Sequence, residues 1–224
     1  MYSFLETALW PIIYAIENYF FFLFSIVKIH SISIILTSLT ISVVLIPVLS
    51  KARKYEDKIN KKINNINKEL NKISIEIKGE ERFRQIEEIY LKNNFHPIQN
   101  INKGLSLFLL LPILLSAYLF FLNNNDIFEV YFLGFKLSEP DGVILGYNIL
   151  PILIFLINFI DANLRFDKKD SAKNTYLIIS FVICVLIYSM PSCMTLYWAT
   201  SSIFSLVFNL FLAYQNRLNL NQLY

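Results

Sequence analysis

Apolar runs alternate with short polar ones along this chain, and one long polar stretch, residues 51–96, interrupts the alternation. Crossing a bilayer takes about 20 mostly apolar residues as a helix. Runs at 31–49, 105–122, 147–161, 176–190 and 194–214 reach or approach that length and predict five transmembrane helices. Pro191 and Ser192 separate the last two, which predicts a tight helical hairpin there. A further run, 9–27, is rich in Phe but holds Pro11, Glu17 and Asn18. Its Trp10, Tyr14 and Tyr19 suit a membrane–water interface. A helix lying on the membrane surface is the preferred reading of this run, and a sixth span is the alternative. It has no basic start and no small-residue cleavage site, so a cleaved signal peptide is not expected. No Cys near the start offers a lipid anchor.

The polar stretch has a helical pattern of its own. Ile59, Ile63, Ile66, Leu70, Ile73 and Ile77 recur every three or four residues and make one apolar stripe. Gly79 breaks the run, and Glu80 and Glu81 follow as the acids expected in a first helical turn. Phe83, Ile86, Ile89 and Tyr90 form a second stripe. The expectation is an antiparallel helical hairpin closed at Gly79 with the stripes facing each other. It is either a docking arm or a solvated loop. The basic start at Lys51 to Lys54 fits a topology signal in contact with lipid headgroups as well as it fits a binding patch. The expected organisation is therefore an interfacial helix over 1–30, a first span over 31–50, a helical hairpin over 51–102, and four further spans with short loops over 103–224.

Charge orients the spans. Of the 20 Lys and Arg, 13 lie between residues 51 and 103. Arg165, Lys168, Lys169 and Lys173 occupy one later loop, and Arg217 lies in the tail. With five spans all three basic segments fall on one side, which the positive-inside rule makes cytoplasmic. The N-terminus is then outside and the C-terminus inside. The tail after the last span, 215–224, holds one basic residue, too few for a basic ribosome-binding extension.

Composition narrows the function. The chain of 224 residues is 55% hydrophobic and 17% charged, against about 25% charged for an average soluble domain. Disorder, a disulfide scaffold and an ordinary soluble enzyme do not fit. Cys184 and Cys193 sit in apolar segments, as small buried hydrophobes do, and His30 and His96 have no metal-ligand spacing. Five scattered glycines make no phosphate-binding loop. Paired intramembrane acids, a His–Glu–x–x–His run and a Gly-flanked serine nucleophile are all missing, so no enzyme is expected. No cofactor and no direct nucleic-acid binding are expected either. An internal repeat that would suggest a transporter is not evident.

The order of four motifs resembles the YidC family, the bacterial branch of the membrane-protein insertases found also in mitochondria and chloroplasts. The first span ends in VVLIPVL and leads into the basic hairpin, which closes with IYLKNNFHPIQN, His96 standing where the family has asparagine. The second span carries LLPILLSAY, the next loop FLGFKLSEPDGVILGYNILPIL, and the last hairpin MPSCMTLYWATSSIFS. The likeness covers roughly residues 8–215. It implies an all-α polytopic fold of the bacterial inner membrane, with a five-helix core, an N-terminal amphipathic helix and a cytoplasmic helical hairpin. It also implies a groove open to the cytoplasm and to lipid. That groove would take hydrophobic segments of newly made membrane proteins and release them into the bilayer without nucleotide hydrolysis. Ribosome and translocon are candidate partners beside such clients and the lipid itself.

The family carries a positive charge in the first span, five positions before its proline. Pro47 places that position at Ser42, where the charge is missing. Ser38 and Ser42, on one helical face, are groove candidates, and back-bonding to their own helix is the equal alternative. Asn158, Tyr197, Trp198, Thr200 and Ser202 complete the groove and client-contact candidates. Tyr197 and Trp198 match the family's pair directly, and packing or an interfacial place suits them equally. Asp161, one turn before Arg165, is expected as an ion pair at the cytoplasmic face. The missing charge puts recruitment of acidic clients in doubt. It keeps a second function open, a diverged structural or assembly subunit dedicated to one membrane partner.

Overall fold

The computed structural model describes residues 4–73, 77–96, 98, 105–142, 146–166 and 171–221. Pro97 of the hairpin's closing motif and Lys168 and Lys169 of the later basic loop lie outside them. The elements in order are α1 (Phe4–Val27), α2 (His30–Leu70), α3 (Gly79–Lys92) and α4 (Leu105–Asn123). Then come a 3-10 turn (Asn125–Phe128), β1 (Tyr131–Phe132), β2 (Phe135–Lys136), α5 (Ile149–Arg165), α6 (Ser171–Ile187) and α7 (Ser192–Asn221). Among the described residues, α1, α2 and the Ser192–Tyr214 part of α7 are long and apolar enough to cross a membrane. Shorter apolar helices, Leu109–Asn123 and Lys173–Ile187, accompany them. The expected spans 31–49, 105–122 and 194–214 fall within α2, α4 and α7, while 147–161 starts two residues before α5 and 176–190 ends three residues after α6. The chain is a polytopic helical membrane protein.

It divides into two units, residues 1–46 with 110–224, and residues 47–109. In the first, helix faces are arranged for a hydrocarbon solvent. On α2 the buried positions are largely hydroxyls, Ser31, Ser33, Thr37, Ser38 and Ser42, while Val43, Val44 and Val48 are exposed. On α5 the buried stripe Pro151, Ile154, Ile157, Asp161 and Ala162 recurs at helical spacing. The opposite face presents Ile152, Leu153, Leu156, Phe159 and Ile160. Lipid is as apolar as leucine, so burial gives no extra reward to large apolar groups, and small hydroxyl residues that let helices approach take the contacts.

The main core of this unit is aromatic. Phe20, Phe120, Phe121, Phe128 and Tyr197 are nearly solvent-free, and Phe121 meets Phe128 at 5.2 Å and Tyr197 at 6.0 Å between ring centres. These rings pack edge-on or tilted, as the aromatic quadrupole favours. They collect where α4 ends and α2 begins. Helix α1 packs against that end of the bundle. Near its start Asn123 of α4 donates to Glu6 at 3.5 Å. Further along, Phe20 touches Phe120 and Phe128, and Phe24 meets His30 at 4.2 Å. Between these contacts Tyr19 donates to the Thr40 hydroxyl at 3.0 Å, ten residues into α2.

In the second unit, Ile59, Ile63 and Ile66 of α2 pack with Phe95, and Leu70, Ile89 and Tyr90 join them. Lys62 donates to the Asn94 carbonyl at 2.9 Å and Asn93 to Glu69 at 3.3 Å. Gly79 opens α3 at φ +68°, a conformation that Gly adopts without the strain a Cβ brings. Two expectations are corrected here. The first helix of the arm is the direct continuation of the first span and ends at Leu70, so Ile73 and Ile77 fall beyond it. The second stripe is used only in part: Ile89 and Tyr90 pack, while Phe83 is 67% exposed. The contacts with α2 come from the last turn of α3 and the residues that follow, and Phe83 near its start is left exposed.

Candidate functional site

Helices α2 and α7 meet along a seam of hydroxyls. Ser38 donates across it to the Tyr197 carbonyl at 2.7 Å. One turn on, the Ser42 hydroxyl stands 2.8 Å from the Ser38 carbonyl and 3.3 Å from the Ser201 hydroxyl. With one proton of its own, it donates to the carbonyl and accepts from Ser201. Thr37 and Ser33 bond back to carbonyls four residues earlier on α2, at 2.7 and 2.9 Å. Thr200 does the same on α7, to Leu196 at 2.8 Å. The two readings of the hydroxyls therefore coexist: several satisfy their own helix, and Ser38 and Ser42 also tie the two helices together. Ser42 is 8% exposed, so it forms a closed, neutral contact with α7.

One end of this seam is shut by a folded loop. The antiparallel pair β1–β2 joins Tyr131 to Lys136 and Phe132 to Phe135. From there the chain runs back onto α7: Cys193 donates its backbone N–H to the Leu137 carbonyl at 2.9 Å, and Ser192 donates to the Glu139 carbonyl through both its N–H and its hydroxyl. Asp141 is 5% exposed and accepts from the backbone N–H groups of Ile149 and Leu150, capping the first turn of α5. Asn148 donates to the Tyr188 carbonyl at 2.7 Å, which ties in the segment after α6. On the loop surface, hydrogen bonds and charge from Glu139 and Glu129 hold the Lys136 ammonium above the usual lysine range. The loop thus holds the first turns of α5 and α7 and the segment after α6 with bonds to backbone groups that helix ends leave open.

A second polar group lies on α5. Asp161 is 2% exposed. It accepts from the Asn209 amide of α7 and, at 3.4 Å, from the Tyr176 hydroxyl of α6, with the Arg165 guanidinium at 3.8 Å. Arg165 in turn lies over the rings of Phe166 and Tyr176, 5.1 and 5.6 Å from their centres. One turn back, Asn158 donates to Ser180 of α6 at 3.0 Å. The expected Asp161–Arg165 pair is present, but its acid is buried between three helices and is not an exposed interfacial group.

The sequence candidates thus separate into two places. Ser38, Ser42, Tyr197 and Thr200 belong to the α2–α7 seam, with Ser202 and Trp198 half-buried on α7 beside it. Asn158, Asp161 and Arg165 belong to the α5–α6–α7 network. Tyr197 is 2% exposed within the aromatic core, so its ring packs, and its backbone carbonyl is what the seam uses. Sequence reasoning missed Ser201, Tyr176, Ser180 and Asp141 as participants. Asp141 had a visible signal in the Pro–Asp of the loop motif. Asn209 was visible as an intramembrane polar residue but not as the partner of Asp161.

Comparisons with known proteins bear on the family and the fold. The model of the family described as "60Kd inner membrane protein" matches residues 22–219. "Membrane protein insertase YidC" of Fusobacterium nucleatum is 27% identical over 178 residues, covering 79% of this chain and 82% of that protein. "Membrane protein insertase YidC 2" of Listeria innocua is 24% identical over 183 residues, 79% of this chain and 61% of that protein. Among solved structures, "Active YidC insertase crystal structure with the first transmembrane domain resolved" superposes with a TM-score of 0.57 at 17% identity, over 92% of this chain and 46% of that one. At that identity the superposition speaks for the fold alone. The matched residues take in nearly all of α2 to α7, with the hydroxyl seam, the capping loop and the buried Asp161 network, and the chain belongs to the 60Kd inner membrane protein family.

Proposed function

We propose that this chain is a membrane protein insertase and chaperone. It receives hydrophobic segments of newly made membrane proteins beside the α2–α7 seam and releases them sideways into the bilayer. The observation that carries this reading is the family match over residues 22–219, whose named relatives are insertases. The physical problem is the client's polar tail. Each unsatisfied polar group in hydrocarbon costs several kcal/mol. The half-buried Ser201 and Ser202 hydroxyls of α7, beside the closed Ser38–Ser42 contact, offer such a tail donors and acceptors part-way across the membrane. No nucleotide takes part, because binding and partitioning of the apolar segment supply the driving force.

Charge placement supports an N-terminus outside and a C-terminus inside the bacterial inner membrane, with the 47–109 unit on the cytoplasmic side. The capping loop then closes the outer end, and clients enter from the cytoplasm, handed over by a ribosome or translocon. Selection rests on hydrophobicity, since Ser42 offers no charge to attract acidic tails. The test is complementation: a bacterium depleted of its own insertase and supplied with this chain should regain growth and insertion of single-span clients.

A second reading is an assembly subunit dedicated to one membrane partner. The closed contact of Ser42 with Ser201 favours it. Failure to complement, with one partner recovered in stoichiometric amount, would select it.

A further inference from the structure

A cleft of about 280 Å³ opens between α1 and the end of α4, away from the seam. Glu6, Trp10, Ile13, Tyr14 and Glu17 of α1 face Phe120, Asn123 and Asn124 across it. The positions on α1 recur at helical spacing, so one face of the helix lines the cleft. The rings of Trp10 and Tyr14 stack at 5.2 Å and 18° and remain more than half exposed. A carboxylate stands on either side of them along the helix. Residues 4–27 include no Lys or Arg, and the cleft walls include none.

We propose that this cleft binds the ammonium group of a phosphatidylethanolamine headgroup. The recognising chemistry is the cavity with its stacked aromatic wall: a cation over Trp and Tyr faces is held by the ring quadrupole. Glu6 and Glu17 add attraction for the same charge and repel anionic headgroups. The exposed Asn123 side chain, whose bond to Glu6 is long at 3.5 Å, is placed to donate to the headgroup phosphate. The location favours a lipid over a peptide. The cleft lies at Asn123 and Asn124, where α4 ends, and α1 leaves Phe4, Phe22 and Ile26 exposed, which suits the level where a span gives way to headgroups. The lipid would fasten α1 to α4 at the end of the bundle where α2 begins.

The experiment uses the full chain released from vesicles of equal phosphatidylethanolamine and phosphatidylglycerol, with retained lipid counted by native mass spectrometry. The wild type should keep the ethanolamine lipid over the glycerol lipid by roughly five-fold, the size of one exposed cation–π contact with a charge term. Glu6→Gln with Glu17→Gln should bring that ratio close to one, and Trp10→Leu should lower it. Trp10 is exposed and Glu6 and Glu17 are half-buried on the cleft wall, and an unaltered melting temperature confirms that the bundle is intact. In a Trp198→Phe background, Trp10 emission should shift in ethanolamine-lipid nanodiscs and not in glycerol-lipid ones. A ratio unchanged in the double glutamine variant would overturn the proposal. So would occupancy of the cleft by a lysine-rich peptide without lipid preference.

Discussion

Replacing Asp161 by alanine should destabilise the helix bundle by about 3–5 kcal/mol, the range for removing one partner of a buried charge pair. Asp161 is 2% exposed, accepts from Asn209 of α7 and Tyr176 of α6, and pairs with the Arg165 guanidinium of its own helix. Without it, the Arg165 guanidinium, at 16% side-chain exposure, loses its buried counter-charge. Neutral hydrogen bonds between membrane helices average only about 0.6 kcal/mol, so the Asp161 loss should stand well clear of any hydroxyl deletion in the seam. Asp161→Asn keeps one acceptor for Asn209 and should cost less, about 1.5–3 kcal/mol, as for a hydrogen bond to a charged group. The assay is reversible unfolding in mixed micelles, with a double-mutant cycle between Asp161→Ala and Asn209→Ala. Residues in one network couple by about 0.5–3 kcal/mol, whereas independent sites add within about 0.5. A loss under about 1 kcal/mol for Asp161→Ala, or additivity with Asn209→Ala, would refute the claim that one buried carboxylate joins α5, α6 and α7.

Other outcomes follow from the same geometry. Ser42→Ala should leave membrane abundance unchanged, losing about 0.6 kcal/mol, while Ser42→Arg should lower it, because a mid-span charge costs about 2.5–3.5 kcal/mol; equal abundance on membrane immunoblots would mean open aqueous space beside residue 42. Asp141→Ala should lower the unfolding free energy by about 1 kcal/mol through loss of the α5 cap, and hydrogen exchange at Ile149 and Leu150 should quicken. Ile66→Asp should expose residues 55–92 to protease, because Ile66 is 1% exposed, whereas Phe83→Asp should leave protection unchanged at a residue 67% exposed. Cysteines introduced at 82 and 133 should react with impermeant maleimide from opposite sides of the membrane.

The spans were legible because hydropathy over about 20 residues is a strong signal and needs no knowledge of partners. The elements after Leu105 follow the apolar runs closely, and the break at Gly79 was visible as Gly followed by two acids. Two features were harder to read. The uninterrupted passage of α2 from span into arm is hidden because hydropathy changes at residue 51 while helix propensity does not. The exposure of Phe83 is hidden because a stripe shows which face could be buried, not what arrives to bury it. In the site, Ser38 and Ser42 could be placed on one face by their spacing, but the partner of Ser38, Tyr197, is 159 residues away and offers a backbone carbonyl, which no side-chain pattern reveals. Asp161 was seen with Arg165 because four residues separate them on one helix. Asn209 and Tyr176 come from other helices, and only the packing of α5 on α6 and α7 brings them within reach.

Insertion itself tests the central claim most directly. Purified chain is reconstituted into protein-free liposomes, and a single-span client with a short polar tail is synthesised in their presence without added nucleotide hydrolysis at the membrane. Protease protection of the client's tail inside the vesicles reports insertion. The account predicts protection several-fold above empty liposomes, with a cysteine at 201 forming crosslinks to the client while insertion is under way. Protection no greater than in empty liposomes, from folded and correctly oriented protein, would contradict it.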